Sequence, residues 1–208
     1  MGQFGITEII NAVERVASML NRWGVPTDGW CLLDGPAIKI VDHEFDSSPW
    51  RDHLNIYVRE EMLPWIPKER ELTLPPTGSS ELRDVLNLAR TGTILHLVPA
   101  ARYYTAGFER QSICLPSGYC IEVATIRGCS QVWSYKSVEI VDAIGDYDGD
   151  SERVLAERIT RLRAALARAP EGDTRDRLSL LSDGYLAIIA GRLAEAKQFF
   201  RSAAGPSW

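Results

Sequence analysis

Two stretches decide the fold: GWCLLDGPAIKI at residues 29–40 and RDHLNIYV at residues 51–58. In the first, Trp30, Cys31, Leu32 and Leu33 form an apolar run of the length of a buried strand. Asp34-Gly35-Pro36 breaks that run, and Pro36 suits the first position of a short helix over Ala37 to Val41. In the second, Leu54, Ile56 and Val58 alternate with polar His53 and Asn55, the period of a strand with one face in the core. Upstream, Ile9, Ile10, Val13, Val16, Ala17 and Leu20 recur at helical spacing over residues 7–23. Thr7 is the candidate cap of that helix and Gly24 its stop. The order is helix, strand, tight turn, short helix, a polar loop over Asp42 to Arg51, then strand.

Beyond Val58 the punctuation changes. Residues 59–79 hold Pro64, Pro67, Pro75 and Pro76 and read as an irregular excursion. Ser80 to Ala89 reads as a helix capped by Ser79, and Thr93 to Val98 as a strand. Ser112 to Leu115 and Tyr119 to Ile126 read as a hairpin around Pro116-Ser117-Gly118. Ser137 to Ala143 reads as a further strand. Gly145 to Asp150, GDYDGD, is an acidic linker; it has only a superficial likeness to a calcium loop, whose twelfth position is wrong here. Helical patterns fill 151–169, 174–190 and 193–203. The expected fold class is α/β in the α+β sense: a mixed-sheet domain over 1–145, then a helical bundle over 151–208.

The 208 residues carry a formal charge of -5, with 45% hydrophobic and 25% charged residues. That apolar content excludes intrinsic disorder of the whole chain, and the length supports a core without metal staples. The acidic balance argues against general nucleic-acid binding. Apolar runs such as Ile94 to Ala101 fall far short of the about 20 residues of a membrane span. The opening MGQFGITEIINAVERV lacks the pattern of a secretory signal, so the cytoplasm is the expected compartment. Cys31, Cys114, Cys120 and Cys129 contain no C-x-x-C pair, which argues against a zinc knuckle. Cys114 and Cys120 face each other across the expected hairpin turn, and in a reducing compartment they read as two free thiols.

The helix–GWCLLDGPAIKI–RDHLNIYV order resembles the nucleotidyltransferase fold of the DNA polymerase β superfamily, in particular its small stand-alone, toxin–antitoxin type members. The resemblance covers residues 7–58 and extends to 111–128. It implies a Gly-Gly or Gly-Ser turn after the first strand, Asp-x-Asp on the next, and a third carboxylate from a later strand. Such carboxylates hold two divalent metals that stabilise both oxygens of an in-line phosphoryl displacement. Carried onto this chain, Gly35 stands at the first glycine and Pro36 at the second. His53 and Asn55 stand where the two aspartates belong, and Glu122 falls near the third carboxylate. Lys39 and Arg51 are the candidate phosphate contacts.

This chain departs from the family at the metal site. With His53 a nitrogen ligand and Asn55 neutral, two negative charges are missing where a hard cation sits. No shift of register restores them. The resemblance therefore implies a degenerate site, with the metal unknown and Mg or Mn needed only by an active enzyme. Each residue also has a plainer reading: His53, Asn55 and Glu122 as polar positions on half-exposed strands, Gly35 as a turn residue, Lys39 and Arg51 as solvated cations.

The rest of the chain carries no P-loop, dinucleotide or nucleophile-elbow pattern. His43-Glu44-Phe45-Asp46 is a polar loop cluster. GYLAIIAGRLAEAKQFFRSAA, residues 184–204, resembles half a tetratricopeptide repeat, and one such unit cannot bury its own face. Six tryptophans are many for this length, and Trp50 and Trp65 fall in loops. Three functions follow as expectations. One is a degenerate nucleotidyltransferase-like protein binding a nucleotide or a protein partner. The second is an active transferase with an altered metal site built on His53, Asn55 and Glu122. The third is an adaptor binding a protein partner through the C-terminal helices.

Overall fold

The apolar stripe near the N-terminus forms helix α1 (Ile6–Arg22), which buries Ile9, Ala12, Val13, Val16, Ala17, Met19 and Leu20. Its start is held by Gly5 rather than by Thr7: the Gly5 amide donates to the Glu8 carboxylate at 2.8 Å. The chain leaves the helix through Gly24 at φ 82°, a left-handed conformation that glycine adopts without steric cost. These details come from a computed structural model that describes residues 5–50, 53–59, 62, 72–73, 84–88, 93–99, 107–143 and 152–205.

After α1 come β1 (Trp30–Leu33), α2 (Asp34–Val41) and β2 (His53–Val58). Then follow β3 (Leu72–Thr73), β4 (Asp84–Leu88), β5 (Thr93–Pro99), β6 (Arg110–Cys114) and β7 (Cys120–Ala124). The strands form one mixed sheet in the order β3-β4-β5-β2-β1-β7-β6. β1 runs antiparallel to β2, with Leu33 opposite Asn55, and parallel to β7, with Cys31 opposite Glu122. β2 runs parallel to β5. Trp30 and Leu32 of β1, Leu54, Ile56 and Val58 of β2, and Ile121 and Val123 of β7 pack with the buried stripe of α1. Cys31, Leu33 and Tyr57, on the other face, are buried too. Burial on both faces explains why WCLL is apolar without alternation.

The remaining helices are α3 (Ile126–Ala143), α4 (Glu152–Leu166), α5 (Asp173–Ile189) and α6 (Leu193–Ala204). The architecture is α+β with a helical C-terminal region. By its internal contacts the chain divides into two compact units, Met1–Thr125 and Ile126–Trp208. The break expected near residue 145 therefore falls twenty residues earlier. The cause is α3, whose second half, 137–143, had read as a strand. Its serines take up helical carbonyls instead: Ser134 Oγ donates to the Ser130 carbonyl and Ser137 Oγ to the Trp133 carbonyl, each at 2.8 Å. Within the second unit the Tyr185 hydroxyl meets Ser137 Oγ at 2.8 Å and accepts from Arg158 Nη1 at 3.1 Å. Gly184 lets α6 come close, because a Cβ there would lie 2.3 Å from the Phe200 ring.

Two further expectations are corrected. Ser80 to Ala89, read as a helix, contains strand β4, in which Leu86 pairs with Leu95 of β5. A short segment takes its state from the neighbour it pairs with more than from intrinsic preference. Cys114 and Cys120, read as free thiols, form a disulfide with their Cα atoms 3.9 Å apart. The hairpin register sets them directly opposite each other. The GDYDGD linker, Trp65, Ser79 and most of the 59–79 excursion lie outside the described residues. Among the described residues no helix is long and apolar enough to cross a membrane.

Candidate functional site

The site grows from the end of β1. Leu33 is the last strand residue, and the chain turns at Asp34 with φ 63°. Aspartate tolerates this left-handed region better than most residues, because its short side chain finds local hydrogen bonds. Gly35 follows for a different reason. A Cβ at this position would lie 2.4 Å from the indole of Trp50, so the turn is closed by a tryptophan lying against it. Trp50 is itself buried and packs on Phe45, ring centroids 5.7 Å apart.

The turn brings Asp34 to Asn55. The Asn55 side-chain amide donates to the Asp34 carboxylate, which is only 9% exposed. A buried carboxylate needs such donors, since an unmet one costs more than the bond itself contributes. Asp34 was not among the residues singled out from the sequence, where Asp34-Gly35-Pro36 served only to end a strand. The available signal was an aspartate immediately before a glycine at a strand end.

Glu122 lies on the far side of β1. Its carboxylate accepts from Arg110 Nε at 3.2 Å, both side chains about one third exposed or less. The Arg110 guanidinium lies 5.7 Å from the Phe108 ring, and Phe108 meets Tyr57 edge-on at 6.3 Å. Arg110 too was missed, because it precedes the expected start of the hairpin.

The structure thus makes two polar pairs, Asn55–Asp34 and Arg110–Glu122. Asn55 and Glu122 sit on the strands flanking β1, two residues out of step. Ordinary sheet spacings then put their Cα atoms about 12 Å apart. Lys39 Nζ donates to the His43 carbonyl at 2.6 Å and so ties down the loop after α2. His53 holds the first position of β2, opposite Ile94 of β5; its side chain, like the whole of Arg51, lies outside the described residues. Among the described residues no three His, Cys, Asp or Glu side chains gather as metal ligands.

Cys31 is buried between these pairs. Burial pushes its thiol far above the ordinary range; the Arg110 guanidinium opposes this and the Glu122 carboxylate adds to it. Below about pH 8.5, the ordinary thiol value, folded and unfolded chains both keep the proton. Above it only the unfolded chain loses the proton, so stability falls as pH rises, by about 1.4 kcal/mol per pH unit for this one group. Urea unfolding between pH 8 and 10.5 is expected to show that slope in the wild type, reduced by the same amount in Cys31→Ala. A difference between the two proteins that is constant with pH would refute the assignment.

A separate surface groove lies between α1 and the β6–β7 turn, lined by Asn11, Glu14, Arg15, Arg22, Ser117 and Tyr119. None of these residues was a sequence candidate. Comparison with protein-family models, with curated proteins and with solved structures returns no match.

Proposed function

We propose that the chain is a nucleotidyltransferase-like protein of the cytoplasm whose transferase site has degenerated, and that it binds a nucleotide or a protein partner. The α1–β1–α2–β2 order, with Asp34-Gly35 at the turn and Glu122 on the strand beside β1, supports the family reading. The observation that carries the degeneracy is the amide of Asn55 on the carboxylate of Asp34. A two-metal displacement needs converging carboxylate oxygens turned toward the cations. Here one carboxylate accepts from a neutral amide, and the other, Glu122, from the guanidinium of Arg110. Protein donors on both carboxylates support a site that works without two metals, and a nucleotide bound there would be held without them.

A thermal-shift titration with ATP, GTP, CTP and UTP, each with and without Mg or Mn, tests this. A ligand at one hundred times its Kd stabilises the folded state by about 2.7 kcal/mol, a rise of about 5–10 °C for a chain of this size. The expected result is such a rise with at least one nucleotide and no further gain from metal. A rise that requires metal favours the active transferase instead. A second reading has its own support: Leu186 and Ile189 are exposed one helical turn apart on α5, in keeping with an adaptor that docks a partner there. No rise with any nucleotide leaves that reading standing.

A further inference from the structure

We propose that Cys114 and Cys120 form a reversible dithiol–disulfide couple that exchanges with external dithiols while the chain stays folded. Both residues are exposed at the end of the β6–β7 hairpin, so either sulfur is open to attack from solvent. Exchange requires that access, because an incoming thiolate attacks a disulfide sulfur directly.

The hairpin stands without the bond. Its register is set by pairs running from Arg110–Ala124 to Cys114–Cys120. The turn is closed by the Leu115 amide donating to the Tyr119 carbonyl at 2.7 Å and the Gly118 amide to the Leu115 carbonyl at 2.9 Å. Leu115 and Ile121 are buried in the core beneath it. The Ser117 amide donates to the Glu14 carboxylate at 2.8 Å, which pins the tip to α1. The bridge spans a separation of only six residues. A loop that short restricts the unfolded chain less than a long one does. The sheet therefore holds the two sulfurs opposite each other in either redox state, and oxidation re-forms the same pair. Reshuffling within the chain is blocked, because Cys31 and Cys129 are both buried.

One thiolate of the external dithiol attacks Sγ of Cys114 or Cys120; the protein S–S bond breaks and the other cysteine leaves as a thiolate. The second thiol of the reagent, as thiolate, then attacks the mixed disulfide and releases the first cysteine. Two electrons and two protons pass to the protein, and the reagent leaves as its cyclic disulfide.

The test uses the full chain purified in air. It is equilibrated with graded ratios of reduced to oxidised dithiothreitol, or of glutathione to glutathione disulfide, then labelled with maleimide under native conditions and weighed. The expected result is no label in the oxidised protein and two labels, on Cys114 and Cys120, after reduction, with the circular dichroism spectrum unchanged. Glutathione disulfide restores the unlabelled form, and excess glutathione alone gives the two-label form, a second glutathione resolving the mixed disulfide and leaving with the first as glutathione disulfide. The double variant Cys114→Ser/Cys120→Ser takes no label in any buffer. Three results would each overturn the proposal: two labels in the air-oxidised protein, reduction that needs denaturant, or loss of the folded spectrum on reduction.

Discussion

Gly35→Ala is expected to lower the unfolding free energy by about 3 kcal/mol, the upper part of the range for adding a methyl to a filled core. The methyl carbon would stand 2.4 Å from two atoms of the Trp50 indole and 2.8 Å from a third. A flexible side chain would swing aside. A rigid indole, 3% exposed and backed by fully buried Phe45, has nowhere to go. The check is urea unfolding of the full chain, read as a lower midpoint at unchanged slope. The double variant Gly35→Ala/Trp50→Leu separates contact from general disruption. Replacing the ring makes room for the methyl, so the two changes together should cost at least about 1 kcal/mol less than their sum. Strict additivity would mean that the indole does not lie on the turn.

Asn55→Asp should cost as much, about 3 kcal/mol, and should respond to metal. The change keeps shape and size but turns a donated hydrogen bond into two carboxylates face to face, one of them the 9%-exposed Asp34. Losing the donor and adding a like charge beside a buried carboxylate each destabilise. Two carboxylates side chain to side chain are also a natural start of an oxygen site for a divalent cation. Millimolar Mn or Mg is therefore expected to raise the melting temperature of Asn55→Asp and to leave the wild type unmoved. Asn55→Ala supplies the control: it loses the donor, costs about 1–3 kcal/mol, and gains no response to metal. If the aspartate variant is as stable as the wild type, or indifferent to metal, Asn55 is not what occupies the Asp34 carboxylate.

The parts of the fold legible in the sequence are those whose pattern is local. The stripe of α1, the buried run Trp30–Leu33 and the alternation of Leu54, Ile56 and Val58 each repeat at the period of their element, and each forms as read. Asp84–Leu88 was not legible, because a five-residue segment with three apolar residues fits either state until Leu95 is seen opposite Leu86. The α3 segment misled for a related reason. Val138 and its β-branched neighbours suggest a strand, while the serine-to-carbonyl bonds that suit a helix show only in three dimensions. In the site, Asn55 and Glu122 were visible because the family resemblance sets its carboxylate positions on them. Their partners were not: Asp34 is 21 residues from Asn55, and Arg110 is 12 from Glu122. Pairing across strands leaves no periodic mark on the chain.

The passage from β7 to α3 takes a single residue, Thr125, whose hydroxyl donates to the Glu109 carboxylate at 2.6 Å. It bears on how such a chain is assembled in evolution. A recombination joint between codons 125 and 126 would hand on the sheet with its strands intact and the helices with theirs. A joint at the acidic run near 145, where the composition changes most visibly, would part α3 from the Tyr185 hydroxyl that its Ser137 meets. The exchangeable module is thus set by packing at a point that composition leaves unmarked.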